Sequence, residues 1–367
     1  MNKMIVANLA YRPLRSLISI IAVAVEVTLI LLIVGLATGM LNDSKERQKG
    51  TGADVIVRPP GSGPILGLTG APVPIKVGDI LRKQLHVVAV APVVVQLISG
   101  GNVEFIYGID LQSFESVGGP FHYLDGGPFQ QPYDMLVDDY FASGNKANVG
   151  KTLEVLNHEF RVAGIVEHGR GARRFIPIKT MQELIGAEGK ASIFYLKLDD
   201  PNNADAVAQQ IKQIPGMQSY NVMSMQEMIS QMTPERLPGL STFIKVVVGI
   251  AVVIGFIVIF QSMYTAVMER TREIGILKSL GASKLYIVRV ILRETLLLAV
   301  AGIIVGMVVS FAAQPLLHYK FPTLPVEITQ GWLIRATIVA VIGAMMGAIY
   351  PAYKAAQKDP IDALAYE

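Results

Sequence analysis

Four long apolar runs divide the sequence, with polar or mixed segments between them. The runs cover residues 17–40, 243–267, 295–316 and 332–350. A helix of about 20 apolar residues, rising about 1.5 Å per residue, crosses a hydrocarbon core about 30 Å thick. The pattern therefore predicts four transmembrane helices, with residues 41–242 inserted between the first and the second.

Basic residues are unevenly distributed around these runs. The N-terminal residues 1–16, the loop 268–294 and the tail 351–367 hold three, six and two Lys or Arg residues, whereas the loop 317–331 has Lys320 alone. The positive-inside rule then predicts that both termini are cytoplasmic and that the inserted segment lies outside the membrane. We expect a multi-pass protein of the bacterial inner membrane, with the inserted segment and residues 317–331 in the periplasm and residues 1–16 at the cytoplasmic membrane surface.

A cleaved signal peptide is the alternative interpretation of the first run. That run is longer than the apolar core of a signal peptide, and no convincing A-x-A cleavage site follows it. We therefore expect an uncleaved first span.

The inserted segment combines two kinds of pattern. Runs rich in β-branched residues predict strands, one of them interrupted by Pro92, and residues 179–185 and 204–214 have helical spacing. The predicted fold is a membrane protein of four transmembrane α-helices with an α+β extracytoplasmic domain between the first and second spans. The predicted strands cover residues 53–58, 87–97, 104–109, 152–156, 160–166 and 192–198.

Composition excludes several function classes. Hydrophobic residues make up 51% of the chain and charged residues 17%, with a mean hydropathy of +0.45, which is typical of a membrane protein. The chain has no cysteine, so disulfides and thiolate metal sites are excluded. A net charge of +3 is mild and indicates membrane-flanking charge, with no nucleic acid among the expected partners.

No pattern in the sequence predicts a catalytic, cofactor or metal site. Residues 144–152 nearly form a phosphate-binding P-loop, but five residues separate Gly144 from Gly150 where the motif has four. The histidines are scattered without metal-ligand spacing. The basic residues 168–174 are typical of a solvated loop, with binding of a lipid phosphate or an acidic partner as the alternative.

Residues 268–294, hereafter the coupling segment, are charged and amphipathic between two apolar runs. Gly281 can end a helix in a left-handed conformation, and Ser283 can cap the next one. The segment is too short for an enzyme, and its apolar side chains suggest a surface that a partner grips. Those side chains are Ile274, Ile276, Leu277 and Leu280.

Two motifs resemble a known family. Residues 269–283, ERTREIGILKSLGAS, resemble the cytoplasmic coupling segment of MacB-like and FtsX-like ABC transporter permeases. The tail 350–367, YPAYKAAQKDPIDALAYE, resembles the closing pattern of that family, P-A-x-x-A-A, then D-P, then A-L-x-x-E. The resemblance covers the four-span frame and, more loosely, the inserted segment.

The resemblance implies a dimer of permease chains that binds two ATPase subunits supplied in trans. ATP and Mg²⁺ would be bound by that ATPase and no cofactor by this chain, which is not expected to be an enzyme. The candidate ATPase-coupling residues are Glu269, Arg270, Arg272, Glu273, Ile274, Gly275, Ile276, Leu277, Lys278, Leu280, Gly281 and Ala282.

The implied function is mechanotransmission. ATP hydrolysis would drive export or extraction of a drug, peptide, lipid or lipoprotein, with a periplasmic adaptor, an outer-membrane channel and membrane lipid as further partners. The rival is an FtsX-like signalling subunit that activates a periplasmic cell-wall hydrolase without transport. The size of the inserted segment favours export. A third interpretation, an anchored extracytoplasmic enzyme, leaves three spans unexplained.

Two polar residues fall inside predicted spans, Glu26 in the first and Gln261 in the second. A carboxylate at that depth is costly unless it is protonated, paired or facing water. Either a neutral Glu26 bonds Gln261 or nearby backbone as a packing element, or it is a polar element of a moving interface. Three spans also contain G-x-x-x-G, which permits close helix packing.

Overall fold

The computed structural model describes residues 13–63, 70–100 and 102–358. The chain divides into two compact units. The membrane unit takes in residues up to Gly39, residues 239–319 and residues from Val326 onward. The inserted unit takes in residues 40–238 and 320–325. Residues 1–12 of the predicted surface segment, and residues 359–367 with the D-P and A-L-x-x-E motifs, lie outside the described residues.

The helices and strands are numbered in chain order. The helices are α1 (Pro13–Lys49), α2 (Val77–Arg82), α3 (Leu111–Gly118), α4 (Asp139–Asn145), α5 (Ile178–Leu184), α6 (Ala204–Gln213), α7 (Met225–Gln231), α8 (Pro238–Glu269), α9 (Thr271–Ser279), α10 (Lys284–Lys320) and α11 (Gln330–Gln357). The strands are β1 (Val55–Arg58), β2 (Val73–Pro74), β3 (Val87–Gly100), β4 (Asn102–Ile109), β5 (Tyr123–Gly126), β6 (Asp134–Asp138), β7 (Thr152–Val155), β8 (His158–Val166), β9 (Arg174–Pro177), β10 (Lys190–Ala191), β11 (Ile193–Leu198) and β12 (Asn221–Ser224).

Among the described residues, α1, α8, α10 and α11 are long and apolar enough to cross a membrane. The predicted four-helix membrane frame is therefore confirmed. The helices run past the apolar runs that predicted them. Helix α1, for example, continues to Lys49, because the residues after the run include Lys, Glu, Arg and Gln, which favour helix.

Small residues bring the membrane helices close together. A Cβ added at Gly302 would lie 2.6 Å from Val23 Cβ of α1, and one added at Gly347 would lie 2.9 Å from the carbonyl oxygen of Phe256 in α8. Two of the three G-x-x-x-G motifs therefore serve packing within this chain. Helix α11 adds a buried stripe of alanines four residues apart, at Ala336, Ala340, Ala344, Ala348 and Ala352.

The inserted unit is built on one large mixed sheet, beside a two-stranded sheet of β2 and β10, which confirms the α+β prediction. Its strand order is β12-β1-β11-β3-β4-β9-β6-β8-β5, with β7 paired to β8. The neighbours β4 and β9 are parallel, as are β6 and β8. Helices α3 and α7 pack aromatic and methionine side chains on one face, around Phe114, Phe175, Tyr195 and Met228.

Strand β3 passes through Pro92 without a break, although the sequence predicts an interruption there. Pro92 is opposite Phe194 of β11, whereas pairing with β4 begins only at Val93. At Pro92 the strand therefore has a partner on one side, so the missing N–H leaves no gap in a second ladder.

Candidate coupling site

The coupling segment begins with a sharp break between two helices. Helix α8 ends at Glu269 and α9 begins at Thr271, with Arg270 between them at φ −106°. Thr271 Oγ1 donates to the carbonyl oxygen of Met268 at 2.8 Å, and the N–H of Ile274 donates to the carbonyl of Arg270 at 3.0 Å. The break therefore retains hydrogen bonds across both helix ends.

Gly281 ends α9 as the sequence predicts. Its φ is +91°, and its N–H donates to the carbonyl of Lys278 at 3.0 Å. The N–H of Ala282 donates to the carbonyl of Leu277 at 3.0 Å. These two bonds form a Schellman motif. Ser283 Oγ then accepts from the N–H of Tyr286 at 3.2 Å and caps α10, again as predicted.

The two faces of α9 differ. Ile274 is 9% exposed and belongs to the apolar core of the membrane unit, whereas Ile276 is 44% and Leu280 80% exposed. Leu277 is half-buried against that core. Of the apolar residues predicted to meet a partner, Ile276 and Leu280 point outward and Ile274 points inward.

We call the outward side the exposed face of α9. Each member has another member three or four positions away, so they are neighbours on the helix surface. They are Arg272, Glu273, Ile276 and Leu280, all exposed. Glu269 is an exposed residue at the end of α8, Gly275 is buried, and Ala282 packs against the membrane-unit core.

Lys278 ties α9 to the last membrane helix. Its Nζ donates to the carbonyl oxygen of Ala356 at 3.0 Å and also to that of Lys358. These carbonyls lie at the C-terminal end of α11, where they lack partners within the helix and carry partial negative charge. An ammonium group there stabilises the helix end and holds α9 beside it.

A buried ion pair ties the start of the coupling segment to its end. Arg270 Nη1 lies 3.0 Å from Glu294 Oε2, and the two side chains are 12% and 4% exposed. The pair joins the α8–α9 break to α10. Sequence reasoning included Arg270 among the coupling residues but missed Glu294. The available signal was an acidic residue bordering an apolar run beside a short arginine-rich loop.

A cavity of about 320 Å³ lies between α8, α9 and α10. Ile274, Leu277 and Ile291 line its apolar side, and Arg270 and Glu294 line its polar side. Helix α9 is therefore held by Lys278 and by Ile274 in the membrane-unit core, and it borders this cavity on its inner side.

The two intramembrane polar residues are not brought together. Gln261 is exposed, and its backbone carbonyl accepts from Thr265 Oγ1 at 2.9 Å. Glu26 is 3% exposed, and its Oε1 has no hydrogen-bond partner among the described residues. The hydroxyls of Ser19 and Ser262, 2.6 Å apart, connect α1 and α8 instead.

Two family models match the chain. The MacB-like periplasmic core domain matches residues 16–214, more than half of the chain, and the FtsX-like permease C-terminal matches residues 245–360. The chain belongs to the MacB/FtsX-like family of ABC transporter permeases. The gap between the matched regions, residues 215–244, includes α7 and the first residues of α8.

Curated relatives extend the similarity along the whole permease. The macrolide export ATP-binding/permease protein MacB of Neisseria gonorrhoeae is 25% identical over 397 aligned positions, which cover 98% of this chain and 60% of that protein. The uncharacterized ABC transporter permease YknZ of Bacillus subtilis is 30% identical over 225 positions, covering 59% of this chain and 55% of that one. The chain thus spans about 60% of the length of the MacB relative.

A solved structure of the periplasmic region of MacB from Actinobacillus actinomycetemcomitans is also similar to the permease. The two share 19% identity and a TM-score of 0.38, with 50% of this chain and 94% of that one covered.

Family membership settles the coarse function. The permease is a multi-pass inner-membrane protein, as its four apolar helices also indicate. Membership in an ABC permease family implies an ATPase partner.

Proposed function

We propose that this permease transmits mechanical work from an ABC ATPase partner to the inserted unit. In this proposal the ATPase binds the exposed face of α9 on the cytoplasmic side, and two copies of the permease form a dimer. The stroke would export or extract a substrate of the drug, peptide, lipid or lipoprotein class. The MacB relative supports export, because its name describes a macrolide export protein.

The observation that carries the proposal is the two-sided construction of α9. Leu280 is 80% exposed on the outer side, which leaves an apolar contact available for a partner. On the inner side Lys278 holds the end of α11. A partner that moves α9 therefore acts directly on a membrane helix.

The ion pair between Arg270 and Glu294 gives the coupling segment a second connection to the membrane helices. Arg270 precedes α9 and holds Glu294 of α10 at 3.0 Å, in nearly buried surroundings. A displacement of α9 consequently pulls on α10 as well as on α11. Helix α1 contributes residues to both units, which supplies a continuous element through which a membrane-side movement would pass to the inserted unit.

The test is Leu280→Asp in the native complex purified from its own membranes. Truncating or charging a residue at an interface centre commonly costs about 1–3 kcal/mol of binding. We expect the co-purifying ATP hydrolysis activity to fall, while the amount of permease in the membrane stays unchanged because Leu280 makes little contact within its own chain.

Leu285→Asp is the matched control. Leu285 is 68% exposed, so it is a similar apolar surface residue, but it lies on α10 beyond the Gly281 turn. We expect it to retain the ATPase. Equal retention of the ATPase by Leu280→Asp and Leu285→Asp would remove the exposed face of α9 from the docking surface.

A further inference from the structure

The carboxyl group of Glu26 occupies a cleft lined by two glycines. A Cβ added at Gly255 of α8 would lie 1.9 Å from Glu26 Oε2, and one added at Gly343 of α11 would lie 3.8 Å from Oε1. No side chain larger than a hydrogen atom fits between Gly255 and the carboxyl in this arrangement. The cleft therefore exists because Gly255 and Gly343 have no side chains beside the Glu26 carboxyl.

No described charged residue faces this cleft. On α8 the charged residues are Lys245 and Glu269, 10 and 14 positions from Gly255. On α11 the nearest is Arg335, 8 positions from Gly343, which is about 12 Å along a helix.

The third helix packed on this part of α1 gives the same result. Thr28 Oγ1 donates to the carbonyl of Gly306 in α10, which places Gly306 near the level of Glu26. The nearest titratable residues on α10 are Glu294 and His318, each 12 positions away from Gly306. On α1 itself, the closest acidic or basic residue towards the C-terminal end is Asp43, 17 positions away.

One oxygen of the carboxyl is buried without a hydrogen bond to any described residue. The side chain is 3% exposed, and Oε1 has no partner among the described residues. A carboxylate without a cation or water is strongly disfavoured in an apolar medium, and the group becomes neutral by taking up a proton. The surroundings thus favour the acid form over the carboxylate.

We propose that Glu26 is a proton-binding site of the membrane unit, which holds one proton per chain while α1, α8 and α11 are packed around the Gly255–Gly343 cleft. The carboxylate takes up a proton from water to become the acid, and no other reactant is needed. The proton is retained because ionisation requires the cleft to open to water. This site is separate from the coupling segment and does not depend on the proposed function.

Infrared difference spectroscopy tests the site in the full chain reconstituted in lipid bilayers. A protonated carboxyl has a C=O stretching band that is separate from the carboxylate bands. Subtracting the spectrum of Glu26→Gln from that of the wild type at neutral pH should reveal this band with the area of one carboxyl per chain.

Three further variants make the result specific. Glu294→Gln removes an equally buried carboxyl that is paired with Arg270, so its difference spectrum should show the loss of carboxylate bands instead. Gly255→Ala forces the Glu26 carboxyl out of the cleft, so the acid band should disappear at lower pH than in the wild type. Gly249→Ala, where a Cβ meets nothing within 4 Å, should titrate like the wild type.

A difference spectrum of Glu26→Gln that shows lost carboxylate bands and no acid band at neutral pH would overturn the proposal. The same conclusion follows if the acid band is present but Gly255→Ala and Gly249→Ala titrate alike, because the cleft would then not hold the proton. If Gly255→Ala does not accumulate, the wild-type and Glu26→Gln comparison still decides the protonation state.

Discussion

The membrane unit and the inserted unit both bury acidic side chains, but they stabilise them with different partners. In the inserted unit Asp134 and Asp138, at the two ends of β6, are 0% and 1% exposed, and each has an arginine partner. In the membrane unit Glu294 has Arg270, whereas Glu26 has no charged partner among the described residues. Burial alone therefore does not fix the charge of an acid; the donors around it do.

The two aspartates show how hydrogen-bond donors change the pKa of a buried carboxyl. Burial raises the pKa of Asp138 to about 6, against the opposing effect of the Arg173 guanidinium and the N–H of Phe141. Burial also acts to raise the pKa of Asp134, but the N–H groups of Gln130 and Gln131 and the Arg161 guanidinium outweigh it and lower that pKa below its ordinary value. Donors added around a buried carboxyl thus shift it from the acid to the carboxylate form.

The largest expected effect on stability comes from breaking the ion pair of the membrane unit. Arg270→Ala removes the arginine partner of the buried Glu294, and breaking a buried ion pair in this way typically costs about 3–5 kcal/mol of folding stability. Unfolding of the purified permease in detergent measures the loss. Arg272→Ala, a change on the exposed face of α9, should stay within about 0.5 kcal/mol of the wild type.

The double variant Arg270→Met with Glu294→Leu removes both partners. It therefore distinguishes the stability lost with the ion pair from the stability lost when only one partner is removed. Replacing both partners with apolar residues of similar volume is often neutral, so the double variant should recover most of the lost stability. If Arg270→Ala and Arg272→Ala are equally stable, the buried pair is not what holds the start of α9.

The next effect is a pH dependence in the inserted unit. The folded pKa of Asp138 is raised from 3.8 to about 6, so protonated Asp138 stabilises the fold fully below about 3.8 and this contribution is lost as the pH rises through 6. At about 1.4 kcal/mol per pKa unit, the loss is at most about 3 kcal/mol.

Asp138→Asn removes that titration and retains a residue that caps α4 well. The stability difference between the wild type and Asp138→Asn should therefore fall as the pH rises from 4 to 6, as measured by chemical denaturation at each pH. Parallel curves for the two proteins would show that Arg173 keeps Asp138 ionised throughout this window.

A smaller effect comes from filling the cleft of Glu26. Gly255→Ala places a methyl group where Glu26 Oε2 lies, and overpacking of this kind costs about 1–3 kcal/mol. Gly249→Ala lies on the same helix in open space and should be neutral or slightly stabilising. Thermal unfolding of both variants in lipid nanodiscs measures the difference. Equal stabilities would show that Glu26 moves aside without cost.

The smallest effect is expected at Glu26 itself. Glu26→Leu removes a buried polar group whose Oε1 is unpaired, so it should raise stability by about 1 kcal/mol. Glu26→Gln keeps the shape of the side chain and should remain close to the wild type. A clear loss of stability in Glu26→Leu would indicate that the carboxyl makes a stabilising contact in the membrane.

The sequence was sufficient to predict the four membrane helices, the end of α9 at Gly281 and the cap of α10 at Ser283. A spanning helix needs a run of about 20 apolar residues, which is a long and unambiguous signal. Gly281 and Ser283 act within one turn of their own positions, so their roles follow from local rules. Both were predicted, and the structure shows both.

The partners across helices could not be predicted in the same way. Arg270 and Glu294 lie 24 positions apart, and their contact depends on how α8 and α10 pack. Ile274 packs in the membrane-unit core because contacts with other helices set the rotation of α9 about its axis. The amphipathic pattern alone did not specify whether Ile274 faces the core or a partner. Of the alternatives that the sequence left open for Glu26, a bond to Gln261 is not the one found, since Gln261 lies on an exposed face of α8.

The bond from Lys278 to the end of α11 has a practical consequence for anyone who labels this protein. It fixes the backbone of Lys358 beside α9. A fluorophore attached at position 358 is therefore held next to α9, where it would compete for the space that the docking ATPase occupies in the proposed function.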